Sequence, residues 1–225
     1  MANRKNEIKK EAPKATELVL ILDRSGSMSG MESDTIGGFN GMIRRQKGEE
    51  GEAFVTTVLF DDEMTTLHDR LPISKVGDMT EKEYRVGGCT ALLDAIGKTV
   101  EHISSVHRYV RPEDVPGKTL VVITTDGMEN ASRNYSPEAV RKLVEKKQEE
   151  GWEFLFLGAN IDAITTARTF GIREDRAATY RCDKAGTRKN FKAVSEVMCC
   201  LRKGSEICED WKEEIVEYEE SGRKS

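Results

Sequence analysis

The chain has 225 residues, of which 37% are hydrophobic and 33% are charged. This composition indicates a globular protein rather than a disordered one, with room for one core and an appendage. The formal net charge is -5, and 35 basic residues are interleaved with 40 acidic ones. A nucleic-acid groove is therefore not expected. No apolar run approaches the roughly 20 residues that a membrane-spanning helix needs, so a membrane partner is not expected either.

The first residues of the chain and its cysteines indicate the cellular compartment of the protein. Residues 1–15 are polar, without the apolar core of a secretory signal, and we expect them to form a flexible tail. The five cysteines are an odd number, and Cys199 and Cys200 are adjacent, which does not suit a disulfide framework. The sequence therefore predicts a cytoplasmic protein with reduced thiols.

Apolar runs that suit buried strands alternate along the chain with segments of helical spacing. In chain order, the predicted strands cover residues 17–22, 53–60, 64–71, 119–126, 152–157 and 177–180. The turn between the second and third strands is too short for a crossover, so the third strand is expected to be an antiparallel edge. The pattern predicts a Rossmann-like, doubly wound α/β fold, with a mostly parallel six-stranded sheet, one antiparallel edge strand and helices on both faces.

Helices are predicted between and after these strands. They cover residues 33–47, 80–83, 92–103, 161–170 and 187–219, and one more begins at Ser136. Ser33 or Asp34 is expected to cap the first, and Thr80 with Glu83 has the pattern of a capping box. The last segment is charged and is interrupted near Gly204.

The predicted organisation of the chain has three parts. These are the tail over residues 1–15, one domain over residues 16–185, and a charged helical segment over residues 186–225. We expect this last segment to pack on the domain, because most amphipathic helices serve the core of their own domain.

Oxygen-bearing side chains lie at the predicted ends of two strands. Asp23, Ser25 and Ser27 follow the first strand, Asp126 ends the fourth, and Thr90 follows a glycine pair just before a helix. Ligands of open α/β sheets bind at the carboxyl ends of the strands, where these residues are expected to converge. Any one of them has an ordinary explanation as a cap or turn residue, whereas five together favour a binding site.

The chemistry of these five residues predicts a metal site. Oxygen donors without histidine or cysteine select a hard cation, so Mg²⁺ is favoured, with Mn²⁺ or Ca²⁺ possible. Only two of the five donors carry charge. The ion would therefore keep water-filled positions and stay electrophilic toward a further carboxylate.

Three sequence pieces closely resemble the von Willebrand factor A (vWA) domain of the bacterial or intracellular type. They contain Asp23-x-Ser25-x-Ser27, Thr90 and Asp126, which match its complete metal-ion-dependent adhesion site. The resemblance covers about residues 16 to 171. It implies that Ser25, Ser27 and Thr90 bind the metal directly, that Asp23 and Asp126 act partly through water, and that a protein partner supplies an Asp or Glu.

The predicted function is that of a non-enzymatic adaptor or regulatory module that binds a protein partner through the metal. One alternative is a metal-dependent hydrolase or phosphotransfer enzyme, which would need a positioned base or nucleophile. His68, His102 and His107 lie outside the metal loops, so this alternative is less favoured. Another alternative is a dedicated subunit of an AAA+ ATPase complex, because intracellular vWA proteins often resemble such components.

Overall fold

The structure, a computed structural model, describes residues 14 to 223. Residues 1–13 of the predicted tail lie outside the described residues. The described chain forms one six-stranded sheet in the order β3-β2-β1-β4-β5-β6. The strands are β1 Thr16–Asp23, β2 Ala53–Phe60, β3 Met64–Pro72, β4 Lys118–Thr125, β5 Trp152–Ala159 and β6 Ala177–Tyr180.

The pairing of the strands confirms the predicted fold class. All neighbouring pairs are parallel except β2 and β3, which are antiparallel, so β3 forms one edge as expected. The six helices are α1 Glu32–Lys47, α2 Leu92–Tyr109, α3 Pro137–Glu149, α4 Ala163–Thr169, α5 Lys184–Arg202 and α6 Glu213–Arg223.

The alternating side chains of β1 divide the core into two layers. Leu18, Leu20 and Leu22 belong to the cluster that α1 and α5 cover. Val19 and Ile21 belong to the cluster under α2, α3 and α4. Because a central parallel strand is buried on both faces, its sequence is continuously apolar, and this explains why β1 was predictable.

Two predicted helix starts are wrong. The N-cap of α1 is Met31, which makes no side-chain capping bond, and both Ser33 and Asp34 lie inside the helix. Residues 80–83 form a turn rather than a helix, although Glu83 does accept hydrogen bonds from the backbone and hydroxyl of Thr80, at 2.9 and 2.6 Å. The chain leaves this turn at once because Tyr84 is drawn into the core, where it is 1% exposed.

Side chains cap the starts of α3 and α4. The Ser136 hydroxyl accepts a hydrogen bond from Ala139 N at 3.2 Å, with proline at the first helical position of α3. Asp162 caps α4 by accepting from Thr165 N at 3.1 Å. In both cases a residue with an acceptor side chain directly precedes the helix, which is the local arrangement that sequence alone can reveal.

The C-terminal helices share the core of the sheet. Val194, Met198 and Leu201 of α5 lie in the same cluster as β1, as do Ile207 and Ile215 beyond it. The predicted division after residue 185 therefore falls inside α5.

Arg202, at the end of α5, is buried and anchors α1. It donates to the carbonyl oxygens of Gln46, Glu49 at 3.0 Å and Gly51 at 2.7 Å. The Gln46 carbonyl is in the last turn of α1, where carbonyls lack intrahelical partners, and the other two lie in the turn that follows.

None of the described helices is long and apolar enough to span a membrane. All five cysteines are free, and Cys89 and Cys208 are exposed. The cytoplasmic location stays a prediction.

The contact between α1 and α5 leads to a test by glycine substitution. A β-carbon on Gly38 would lie 2.2 Å from the Phe191 ring of α5, whereas one on Gly37 would have nothing within 4 Å. We expect Gly38→Ala to destabilise the fold by about 1 to 3 kcal/mol through overpacking. Gly37→Ala should instead stabilise it by about 0.5 to 1 kcal/mol, since alanine favours the helix. Urea unfolding of the two variants checks this, and equal stabilities would contradict the packing.

Candidate metal centre

The five predicted site residues lie together at one edge of the sheet. Asp23 is the last residue of β1, and Asp126 directly follows β4. Ser25 and Ser27 occupy the loop after β1, and Thr90 lies two residues before α2. The structure brings the five residues together as predicted, and their role as metal ligands stays a prediction.

A chain of short hydrogen bonds links four of these residues. Ser25 N donates to Asp23 Oδ1 at 2.7 Å, which folds the loop back onto the strand end. The Ser25 and Ser27 hydroxyl oxygens are 3.1 Å apart. Ser27 Oγ donates to Asp126 Oδ1 at 2.5 Å, so the loop after β1 closes on the end of β4.

Thr90 lies next to Gly127, across from Ser27. A β-carbon on Gly127 would lie 3.2 Å from Thr90 Oγ1 and 3.4 Å from Ser27 Oγ. Glycine therefore leaves the space between the Thr90 and Ser27 hydroxyls free of side-chain atoms.

Backbone bonds hold the loop after β1 between its neighbours. Arg24 N donates to Phe60 O at 2.8 Å, and Gly87 N donates to Arg24 O at 2.9 Å. Gly88 has a φ of 72°, and a β-carbon there would lie 1.9 Å from Asp62 Oδ1. Only glycine fits this approach, because other residues are strained at positive φ and would clash with Asp62.

Residues beyond the five candidates hold the site in place. Thr125 Oγ1 donates to Asp23 Oδ2 at 2.6 Å, and the buried Tyr84 hydroxyl donates to Asp23 O at 2.5 Å. Asn130 Oδ1 accepts from Thr90 N at 2.9 Å, while Asn130 N donates to Thr90 O at 3.0 Å. Thr125 adjoins Asp126 and could have been noticed, whereas no local pattern points to Tyr84.

The start of α2 interlocks with the loop after Asp126. Glu129 Oε2 accepts from Leu93 N at 2.9 Å, and Ser132 Oγ accepts from Asp94 N at 3.0 Å. In return, Asp94 Oδ1 accepts from the backbone of Asn134 at 2.9 Å. Two of the N–H groups that the first turn of a helix leaves free are thus satisfied from a distant segment, which fixes Thr90 relative to Asp126.

The two carboxylates of the site are buried, and this disfavours their charge. Asp23 is 1% exposed and Asp126 is 2% exposed. Burial raises the pKa of Asp23, although hydrogen bonds from Thr125 and Ser25 oppose the shift. Burial and the nearby charge of Asp23 raise the pKa of Asp126, while the Ser27 hydroxyl opposes them.

Asp126 has one oxygen without a partner. Its Oδ2 atom is buried and makes no hydrogen bond with any residue that the structure describes. A buried acceptor of this kind is costly unless something pairs with it. The nearest basic side chain on the loop, Arg24, is bound to Asp61, with 2.8 Å between Nε and Oδ2. These residues therefore fit a cation that two carboxylates and three hydroxyls surround.

Comparison with known families decides the classification of the chain. Residues 4 to 190 match the family described as "VWA domain containing CoxE-like protein". The chain belongs to the vWA family. The predicted resemblance is thereby confirmed at the level of the family, and a comparison with curated proteins found no match.

Solved vWA structures share the fold at low sequence identity. The vWF domain of the type V pili tip protein Mfa5 from Porphyromonas gingivalis has a TM-score of 0.61 and 10% identity, over 83% of this chain and 96% of that one. Manganese-loaded TRAP protein from Plasmodium vivax has a TM-score of 0.54 and 18% identity, over 79% and 73%.

Proximal thread matrix protein 1 from the mussel byssus, with a zinc-occupied MIDAS motif, has a TM-score of 0.56 and 18% identity. That alignment covers 84% of this chain and 46% of the mussel protein, so this vWA chain spans less than half of that relative. At these identities the likeness establishes the fold alone.

The buried carboxylates lead to a prediction about pH. Burial raises the pKa of Asp126 in the folded protein. In the absence of a cation, the folded protein therefore binds the carboxyl proton of Asp126 more tightly than the unfolded chain does. The free energy of unfolding should therefore fall as pH rises from about 4 through the raised pKa.

Asp126→Asn removes this charge and keeps an acceptor for Ser27. In EDTA at neutral pH, we expect the variant to have a higher Tm than the wild type, and the difference should shrink near pH 4. Asp162→Asn, which keeps an exposed helix cap, should not raise the Tm. Thermal unfolding in EDTA across pH measures both, and a lower Tm for Asp126→Asn at neutral pH would contradict the electrostatic argument.

Proposed function

We propose that this vWA domain binds a divalent cation and uses it to hold an Asp or Glu side chain of a protein partner. The observation that carries the proposal is the unpartnered, buried Oδ2 atom of Asp126 beside a second buried carboxylate and three hydroxyls. Two carboxylates can neutralise the cation, and the hydroxyls add only weak ligand fields. The cation would then attract a further anion.

Mg²⁺ is the proposed cation, with Mn²⁺ or Ca²⁺ as substitutes. The donor set contains only oxygen, which suits a hard cation. Among the described residues, no three His, Cys, Asp or Glu side chains cluster as a metal site, so a site here depends on hydroxyl groups. Ser25, Ser27 and Thr90 would bind the ion directly, and Asp23 and Asp126 would act partly through water.

The exposure of the loop supports access by a partner. Ser27 and Gly26 are exposed, whereas Asp23, Ser25, Thr90 and Asp126 are buried behind them. A partner carboxylate could therefore reach the ion from the Ser27 side without displacing the buried residues. An anion that joins the ion in a partly desolvated interface contributes to both affinity and specificity.

We propose binding rather than catalysis. Hydrolysis at a metal needs a group that activates water or serves as the nucleophile. The three histidines bond elsewhere: His68 to Thr57 at 3.1 Å, His102 to Asp69 at 2.8 Å and His107 to Glu17 at 3.2 Å. Their positions support the binding function over a hydrolase.

Metal binding is the first test. Isothermal titration of the chelator-treated wild type with Mg²⁺ should show one saturable site. Asp126→Asn should lower the affinity at least about tenfold, because it removes half of the charge that balances the ion. Asp162→Asn, which removes a carboxylate outside the site, should bind like the wild type.

Substitutions of Thr90 test the contribution of a single hydroxyl in the same Mg²⁺ titration. Thr90→Ala should weaken Mg²⁺ binding, and Thr90→Ser should preserve it, because only the alanine variant lacks the hydroxyl. Unchanged affinity in both Asp126→Asn and Thr90→Ala would disprove the assigned ligands.

The partner forms the second test. Immobilised wild-type protein in Mg²⁺ should capture host proteins that EDTA releases, and Asp162→Asn should capture the same set. Asp126→Asn and Thr90→Ala should capture much less of these proteins at the same Mg²⁺ concentration, since both variants would bind the ion more weakly. An AAA+ ATPase in this set would identify the chain as a subunit of such a complex.

Two outcomes of the capture experiment would contradict the proposal. One is a captured set that stays bound in EDTA. The other is metal-dependent turnover of a phosphoester or peptide that Asp126→Asn abolishes, which would favour the enzyme alternative.

A further inference from the structure

A cavity of about 430 Å³ opens at the amino-terminal ends of the parallel strands, on the opposite side of the domain from the candidate metal centre. It lies between the ends of α2 and α3 and the starts of β4 and β5. Its basic lining residues are His107, Arg108, Lys118, Lys146 and Lys147, and its one acidic lining residue is Glu150. A cavity with this lining is unusual in a protein whose net charge is -5.

Three of these cations lack an acidic partner. Arg108, Lys118 and Lys146 form no ion pair with any residue in the described part of the chain. Lys147, in contrast, is bound to Glu150 at 2.6 Å and lies over the Trp152 ring, with Nζ 5.1 Å from the ring centroid. Among residues 14 to 223, the lining of the cavity therefore carries more positive charge than its ion pairs balance.

Helix dipoles explain only part of this arrangement. Arg108 and Lys146 lie in the last turns of α2 and α3, where basic residues favour the partial negative charge of a helix end. Lys118 is the first residue of β4 and has no such explanation. Lys14 also approaches, since a β-carbon on Gly117 would lie 2.9 Å from Lys14 Cβ. Cations from separate elements thus converge on one space.

The wall of the cavity is held in place by buried contacts. His107 Nε2 is bound to Glu17 Oε2 at 3.2 Å, and Glu17 is fully buried. The His107 and Trp152 rings meet at an angle, with centroids 5.4 Å apart. Val115 and Pro116 add apolar lining. A wall held by such contacts, with exposed lysines beside it, suits a small ligand with a charged part and an apolar part.

We propose that this cavity is a second ligand site, which binds a small molecule carrying two or more phosphate groups. Lysine and arginine are common phosphate-binding residues, and phosphate oxygens form strong hydrogen bonds with both. The volume lies within the range of small-molecule sites and exceeds what a single inorganic phosphate fills. Binding here does not require the metal centre at the other edge of the sheet.

The experiment uses sodium tripolyphosphate as the probe, titrated into the full chain in EDTA so that the metal centre takes no part. The calorimetric titration of the wild type should show one saturable site. In a Trp211→Phe background, Trp152 is the sole tryptophan, because the chain has only two. The probe should therefore change Trp152 fluorescence with the same midpoint.

A matched pair of double variants tests the location. Lys118→Gln with Lys146→Gln removes two cavity cations, and Lys98→Gln with Lys142→Gln removes two exposed lysines of α2 and α3 that do not line the cavity. Both lower the net charge equally. The first should weaken tripolyphosphate binding about tenfold or more, since it removes two charge-assisted hydrogen bonds. The second should leave binding unchanged.

Three results would overturn the site. Equal weakening in both double variants would mean diffuse attraction of an anion to the surface. No saturable binding at millimolar probe would mean that no site exists. Equally tight binding of citrate would mean that the cavity does not prefer phosphate.

Discussion

The register between β1 and β4 is the constraint on which the candidate metal centre depends. Leu22 pairs with Thr124 across the two parallel strands, so Asp23 and Thr125 leave the sheet side by side. Thr125 can then donate to Asp23, and Asp126 follows at the same edge. A shift of one residue would turn every side chain of a strand to the other face, so the buried apolar residues that fix the register also fix both carboxylates.

Two buried carboxylates at one edge need compensation, and the protein supplies polar groups rather than opposite charges. Asp23 accepts from a backbone N–H and from the Thr125 hydroxyl, while Asp126 accepts from Ser27. The loop's own cation, Arg24, is turned away to Asp61. This arrangement orients the oxygens and leaves the charge unbalanced. A divalent cation would supply the missing balance without rearrangement of the loops, since their backbones are already bonded to one another.

Sequence predicted the parts of this protein that depend on local pattern. The bounds of β2 and β6 agree with the predicted residues 53–60 and 177–180. An apolar run with clear flanking residues defines β2, whereas β6 is a short edge strand with a weaker pattern. The placement of the five candidate residues at one end of the sheet was likewise predictable, since they follow strands or precede a helix, whereas their role as metal ligands stays a prediction. Pairing with distant residues was not predictable. Tyr84 bonds to the backbone of Asp23 from 61 positions away, and Glu129 caps α2 from 36 positions away.

Competition between local and tertiary preferences accounts for the two wrong helix starts. Ser33 is a good capping residue, yet buried Met28 and Met31 draw the preceding loop into the core and α1 begins before Ser33. Thr80 and Glu83 form the bonds of a capping box, yet the burial of Tyr84 ends the turn. In both cases the free energy of burying a large side chain, about 1.5 to 3 kcal/mol, exceeds that of a cap, about 1 kcal/mol.

The direction of the chain also makes the two edges of the sheet electrically different. In a parallel α/β fold a helix that follows a parallel strand begins at the carboxyl ends of the strands, as α1 and α3 do after β1 and β4. Helix α2 follows the antiparallel β3, and the long connection that ends at Thr90 returns the chain to the same end of the sheet before α2 begins. The partial positive charge at a helix N-terminus favours anions, such as the charged carboxylates of Asp23 and Asp126. The helices end at the opposite edge, where their partial negative charge favours cations such as Arg108 and Lys146. One topological property of the fold thus places carboxylates at one edge and basic residues at the other.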